Sequence, residues 1–101
     1  MDHQFSQSAV KVFKALADPT RYQIVVMLMR NEELGCGDFD CIFHKSKPAL
    51  SHHYRVLENA GLVAFRKDGL RVYYHLHREQ LERFVPQFFQ AHCGGPGETS
   101  G

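Results

Sequence analysis

The chain has 101 residues, 44% of them hydrophobic and 23% charged, enough for one small core and too few for two. Such a composition is globular; no run approaches the roughly 18 apolar residues of a membrane span, and "MDHQFSQSAV" lacks the basic-then-apolar layout of a secretory leader, so no membrane association and a cytoplasmic location are expected. The formal net charge of +1 hides an uneven distribution: residues 45–78 hold seven Lys or Arg against two acids, a net +5, while the rest nets −4, as expected of a segment that meets phosphates.

Phe5, Ala9, Val12, Phe13 and Leu16 fall at i, i+4, i+7, i+8 and i+11, the spacing of one helix face. Asp18 suits an N-cap and Pro19 the first position of a second helix to about Arg30, burying Ile24, Val25 and Leu28. In "NEELGCGDFDCIFHK", Gly35 and Gly37 weaken a helix while Leu34, Phe39, Ile42 and Phe43 supply anchors, giving a short helix without a marked start. Ser46 as N-cap and Pro48 in the first turn open a helix that runs to about Ala60, with Gly61 as its left-handed terminator.

Two β-rich runs then flank Asp68-Gly69, a pair suited to a tight hairpin turn. Along the second run Val72, Tyr74 and Leu76 share one face, and Arg71, Tyr73, His75 and His77 the other. A last helical pattern, Leu81, Phe84, Val85, Phe88 and His92, contains Pro86, which should kink or split it. Residues 1–93 therefore read as one domain and the Gly-, Pro- and Ser-rich residues 94–101 as a disordered tail.

Helix, helix, short helix, turn, helix, hairpin is the order of a winged helix-turn-helix, a mainly α fold with a small β-hairpin (α+β). In such a module the helix after the turn enters the DNA major groove. Leu50, Tyr54 and Leu57 would hold that helix on the core and leave Lys47, Pro48, Ser51, His52 and Arg55 outward. Lys47, Ser51, His52 and Arg55 are the expected groove readers; Ser46, Arg66, Lys67 and Arg71 are expected mainly on phosphates. A solvated helix face is the ordinary explanation for one cation, but here the caps, the charge asymmetry and the hairpin all agree.

Over Val10 to His77 the chain resembles the ArsR/SmtB family of small winged-helix repressors, through "ALADPTRYQIV", "EL", "SKPALSHHYRVLENAGLV" and "RKDGLRVYYHL". The resemblance implies a dimeric repressor, paired mainly through its first and last helices and bound to a palindromic operator in double-stranded DNA. Phe5, Val12, Phe13, Phe84 and Phe88 are the candidate interface residues; the apolar surplus of the last helix fits that role independently. His53 is expected to pack or hydrogen-bond at the base of the recognition helix.

The inducer is less legible. Family members that sense arsenic or cadmium resemble E-L-C-V-C-D at the short helix, whereas Gly35 and Gly37 flank a single Cys36 here. The other family site, an Asp-x-His early in the last helix, is also missing, and "CGDF" before "SKPALSHH" is more like a branch in which metal sensing is not the rule. No metal site is therefore assigned. Cys36, Cys41 and Cys93 are too few and too scattered for a disulfide framework. They leave two readings open: a thiol-based set responsive to a metalloid, a soft metal or an oxidant, or Cys36 as a small buried hydrophobe. Cys36 and Cys41 would lie roughly 140° apart around a regular helix, poorly placed to chelate. His75 and His77 could begin a zinc site, but no third ligand is near in sequence, and solvent or DNA is the simpler setting. No phosphate loop, paired acids or nucleophile signature supports an enzyme, and the basic segment argues against a module that has kept the fold but lost DNA.

Overall fold

The structure is a computed structural model that describes residues 3–93; the tail expected at 94–101 lies outside the described residues. The chain enters through α1 (His3–Leu16) and α2 (Pro19–Met29), passes β1 (Leu34–Gly35) into α3 (Cys36–Ile42), and continues through α4 (Lys47–Asn59), β2 (Val63–Asp68) and β3 (Arg71–Leu76) to α5 (Arg78–Phe84) and α6 (Phe88–Cys93). The three strands form one antiparallel sheet in the order β1-β3-β2.

Local chemistry sets the helix ends. The Asp18 carboxylate accepts from the backbone N–H of Thr20 at 2.9 Å and of Arg21 at 3.1 Å, with Pro19 behind it, satisfying donors that a helix start leaves unpaired. Ser46 does the same for α4, its Oγ accepting from Ala49 N at 3.2 Å. At the other end of α4, Gly61 adopts φ +76°. Its N–H donates to Glu58 O at 2.9 Å and that of Leu62 to Leu57 O at 3.0 Å, the paired bonds of a Schellman stop that needs a left-handed residue.

The hairpin turns one residue later than the Asp68-Gly69 pair suggests. Asp68 stays in the ladder opposite Arg71, so Gly69 and Leu70 form the two-residue loop, with φ +65° at Gly69; glycine first in such a loop suits the right-handed twist of the strands. β1, unmarked in the sequence, pairs Leu34 with Tyr74 and Gly35 with Tyr73. In α3 the N-cap position falls at Gly35, whose N–H donates to the Asp38 carboxylate at 2.8 Å, and the helix runs through Gly37. Of the four anchors expected there, Phe39 is fully buried and Leu34 and Phe43 are half-buried, but Ile42 faces outward. Pro86 splits the last pattern into two helices, with Gln87 at φ +68° between them.

The core joins Ile24, Val25 and Leu28 of α2, Leu50 and Leu57 of α4, and Leu81 of α5, all essentially without exposure. Val12, Phe84 and Phe88, expected at a dimer interface, also belong to this core at 0%, 9% and 4% exposure. They have little surface left for a partner: Val12 lies on the inner face of α1, Phe84 packs against Phe5, and the break at Pro86 turns Phe88 toward Tyr22 of α2. Phe13 stands out from α1 at 52% exposure beside Val10 at 49%, and Phe5 is half-buried against Phe84.

Candidate nucleic-acid interface

The two faces of α4 are cleanly divided. Leu50, Tyr54 and Leu57 are buried, and Lys47, Pro48, Ser51, His52 and Arg55 are all exposed. Among the described residues, the side chains of Ser51 and Arg55 form no hydrogen bond or ion pair with the rest of the protein, so their donors remain available to an external partner. Ser46 is exposed at the start of the same helix with its oxygen engaged in the cap, which leaves its O–H able to donate. Lys67 and Arg71 lie exposed on the two strands of the hairpin, near its tip.

Arg66, expected on phosphate, is paired within the protein. Its guanidinium makes a two-pronged pair with Glu33, at 2.7 and 2.8 Å, and stacks 4.6 Å above the Tyr73 ring. The pair holds the Glu33 carboxyl below the usual carboxylate range. Arg66 thus braces β2 against β3 and the segment entering β1, with its charge already partnered.

His53, one residue from the exposed His52, turns inward. Its Nδ1 accepts from Arg21 at 3.1 Å and lies 3.8 Å from the Asp18 carboxylate. The same Arg21 donates through Nε to Ala15 O at 2.8 Å and through a terminal nitrogen to Lys14 O at 3.3 Å. One guanidinium therefore joins the last turn of α1 to the recognition helix. The end of α4 is held as firmly: Gln80 donates to Ala60 O at 3.1 Å, and His77 Nδ1–H to Gly61 O at 3.1 Å. That bond gives His77 a structural task, and no group of three or more metal-ligating side chains converges among the described residues.

The two cysteines whose side chains are described, Cys36 and Cys41, are free thiols. Cys36 and Cys41 both lie on the regular helix α3, half-buried and exposed respectively, so the angular separation of an ideal helix applies to them. The side chain of Cys93 lies outside the described residues. Burial pushes the Cys36 thiol above its usual range, and the Asp40 carboxylate adds to the effect; the buried Tyr54 hydroxyl nearby has no hydrogen-bond partner of normal geometry among the described residues. Since the thiolate is the reactive form, Cys41 should be alkylated by limiting iodoacetamide at pH 7 well before Cys36, as peptide mass spectrometry would show; faster labelling of Cys36 would mean a thiol activated in spite of its burial.

A capped helix-turn-helix, an exposed polar face on its second helix and a basic hairpin beside it define a winged helix-turn-helix DNA-binding transcriptional regulator. The family model for "Bacterial regulatory protein, arsR family" matches residues 18–64. A cadmium resistance transcriptional regulatory protein CadC homolog of Staphylococcus aureus is 40% identical over 86 residues, 85% of this chain and 71% of the relative. The transcriptional repressor SdpR of Bacillus subtilis is 37% identical over 70% of this chain and 78% of its own. HlyU of Vibrio cholerae superposes with a TM-score of 0.76 at 32% identity, covering 92% of this chain and all of that one. The chain belongs to the arsR family of bacterial regulatory proteins. It is accordingly a regulator and not an enzyme, and none of its described helices is long and apolar enough to cross a membrane.

Proposed function

We propose that the chain acts in the cytoplasm as a homodimeric repressor, with residues 1–93 as its DNA-binding and dimerisation domain, and that each protomer lays α4 in the major groove of a palindromic operator. The observation that carries this reading is the outer face of α4, where Ser51 and Arg55 are exposed and, among the described residues, without internal partners, while Leu50, Tyr54 and Leu57 opposite are buried. Lys47, Ser51, His52 and Arg55 meet base edges, and Ser46, Lys67 and Arg71 meet phosphate or the flanking minor groove. Pairing uses the exposed Val10 and Phe13 ridge of α1 with the neighbouring Phe5, an apolar patch that water alone covers poorly. Fluorescence anisotropy with the DNA upstream of the gene and with shuffled DNA tests the reading. Expected is tight, saturable binding of one dimer per site to the former; equal affinity for both sequences would defeat it.

Two wing substitutions should move salt dependence in opposite directions. Lys67→Ala removes a free cation and should flatten the slope of log K against log salt by about one per protomer. Glu33→Gln removes the two-pronged partner of Arg66, leaving it only Asp68 at 4.0 Å, and should tighten binding to shuffled DNA and steepen the slope. If Glu33→Gln instead weakens binding to every sequence, the bracing role of the Glu33–Arg66 pair outweighs the charge it withholds.

A further inference from the structure

The side chains that join α4 to the rest of the domain are not equivalent. The buried leucines hold it by contact, which tolerates small rotations of a helix in its groove. The Arg21 guanidinium holds it by direction, with Nε on Ala15 O at 2.8 Å, one terminal nitrogen on Lys14 O at 3.3 Å and the other on His53 Nδ1 at 3.1 Å. Three of the fork's nitrogens are thereby fixed to two different helices, and a planar fork cannot rotate to follow one partner without losing another. His53 sits between the two groove-facing positions His52 and Arg55 in sequence, so a small turn of α4 about its axis would displace both.

We propose that Arg21 and His53 are positioning residues for DNA recognition: the fork of Arg21, anchored on the last turn of α1, fixes the rotation of the recognition helix through His53 Nδ1 and so the aim of Ser51 and Arg55. This rests on the reading of α4 as the recognition helix, and goes beyond it by assigning a role to two side chains that do not face the DNA.

The bond also depends on the proton. An imidazole that accepts at Nδ1 carries its single proton on Nε2; adding a second proton at Nδ1 removes the acceptor and sets one cation against another. The charged groups facing this ring are Asp18 at the α1–α2 corner, Arg21 on α2, Lys45 before α4 and His52 on α4. Burial, helped by the Arg21, His52 and Lys45 charges, keeps His53 below the usual imidazole range, while Asp18 opposes. Once protonated, the ring exchanges Arg21 for the Asp18 carboxylate, 3.8 Å away. For a base whose folded-state pKa is depressed, the unfolded chain binds more protons in the interval below its unfolded value of about 6.5, so stability is full above that value and declines as pH falls toward the folded value. Aim and stability should therefore weaken together on acidification.

The test compares affinity for upstream and shuffled DNA, at pH 7.5 and 5.5, for wild type, Arg21→Lys, His53→Leu and His53→Asn, with Tm measured alongside. His53→Asn keeps an acceptor near the Nδ1 position but cannot titrate. Loss of a hydrogen bond to a charged group predicts that His53→Leu and Arg21→Lys lower the upstream-to-shuffled ratio about tenfold at pH 7.5. His53→Asn should retain most of that ratio and change it less than wild type does between pH 7.5 and 5.5. Equal losses on both DNAs in step with Tm, or a wild-type pH response shared by His53→Asn, would overturn the proposal. A wild type without preference for its upstream DNA would instead remove the reading of α4 on which the proposal stands.

Discussion

Arg55→Ala should abolish most of the preference for operator DNA while leaving the fold intact. The side chain is exposed and, among the described residues, has no internal partner, so its removal takes nothing from the protomer's own packing. A good base contact discriminates by about 1–3 kcal/mol, and a symmetric dimer uses each contact twice, giving about 2–6 kcal/mol or a Kd for the operator raised roughly 30-fold or more. Shuffled DNA should lose only the share that one cation per protomer contributes through counterion release. Anisotropy titrations on both DNAs, with a thermal melt as control, separate the outcomes. A lowered Tm, or equal losses on the two sequences, would make Arg55 a general contact and shift discrimination to Lys47, Ser51 and His52.

The largest effect on stability should come from Leu57→Ala. Leu57 has no exposed surface and lies on the inner face of α4, in the same cluster as Ile24, Leu28 and Leu62. Truncation of a buried leucine removes its transfer free energy and leaves a cavity, together about 2–5 kcal/mol. Against the 5–15 kcal/mol that typically holds a domain of this size, that is roughly 10–25 °C in Tm. Leu70, fully exposed at the hairpin tip, is the control: Leu70→Ala should stay within about 0.5 kcal/mol. Urea unfolding of both variants checks the contrast, and a mild Leu57→Ala would mean that the neighbouring side chains collapse into the space.

What could be read beforehand was what local chemistry dictates. Asp18-Pro19, Ser46-x-Pro48 and Gly61 act on their own few residues, so the boundaries of α2 and α4 followed from them. The burial of Leu50, Tyr54 and Leu57 opposite an exposed polar face followed from one period of 3.6. Long-range polar pairs left no comparable trace. Glu33 and Arg66 are 33 residues apart, Arg21 and His53 32, and Tyr22 hydrogen-bonds to His92, 70 residues away. Pairs such as these decide that Arg66 braces the sheet and that the inward-packing His53 takes Arg21 as its partner, and no spacing rule connects them. β1 was invisible for another reason: two residues cannot show alternation. Phe84 and Phe88, expected at an interface, are buried in the protomer's own core, Phe84 against Phe5 before the break at Pro86 and Phe88 against Tyr22 after it, and neither contact shows in local spacing.

The junction of β1 and α3 has no slack. Gly35 ends the strand and Cys36 begins the helix, with no residue between them, while Gly35 is paired to Tyr73 in the wing and tied by its own N–H to Asp38 in the helix. A hinge needs at least one backbone unit free to change its dihedrals; here both sides of the joint are hydrogen-bonded. A tilt of α3 would therefore have to break one of these bonds or carry Gly35 and its strand partner Tyr73 along with it.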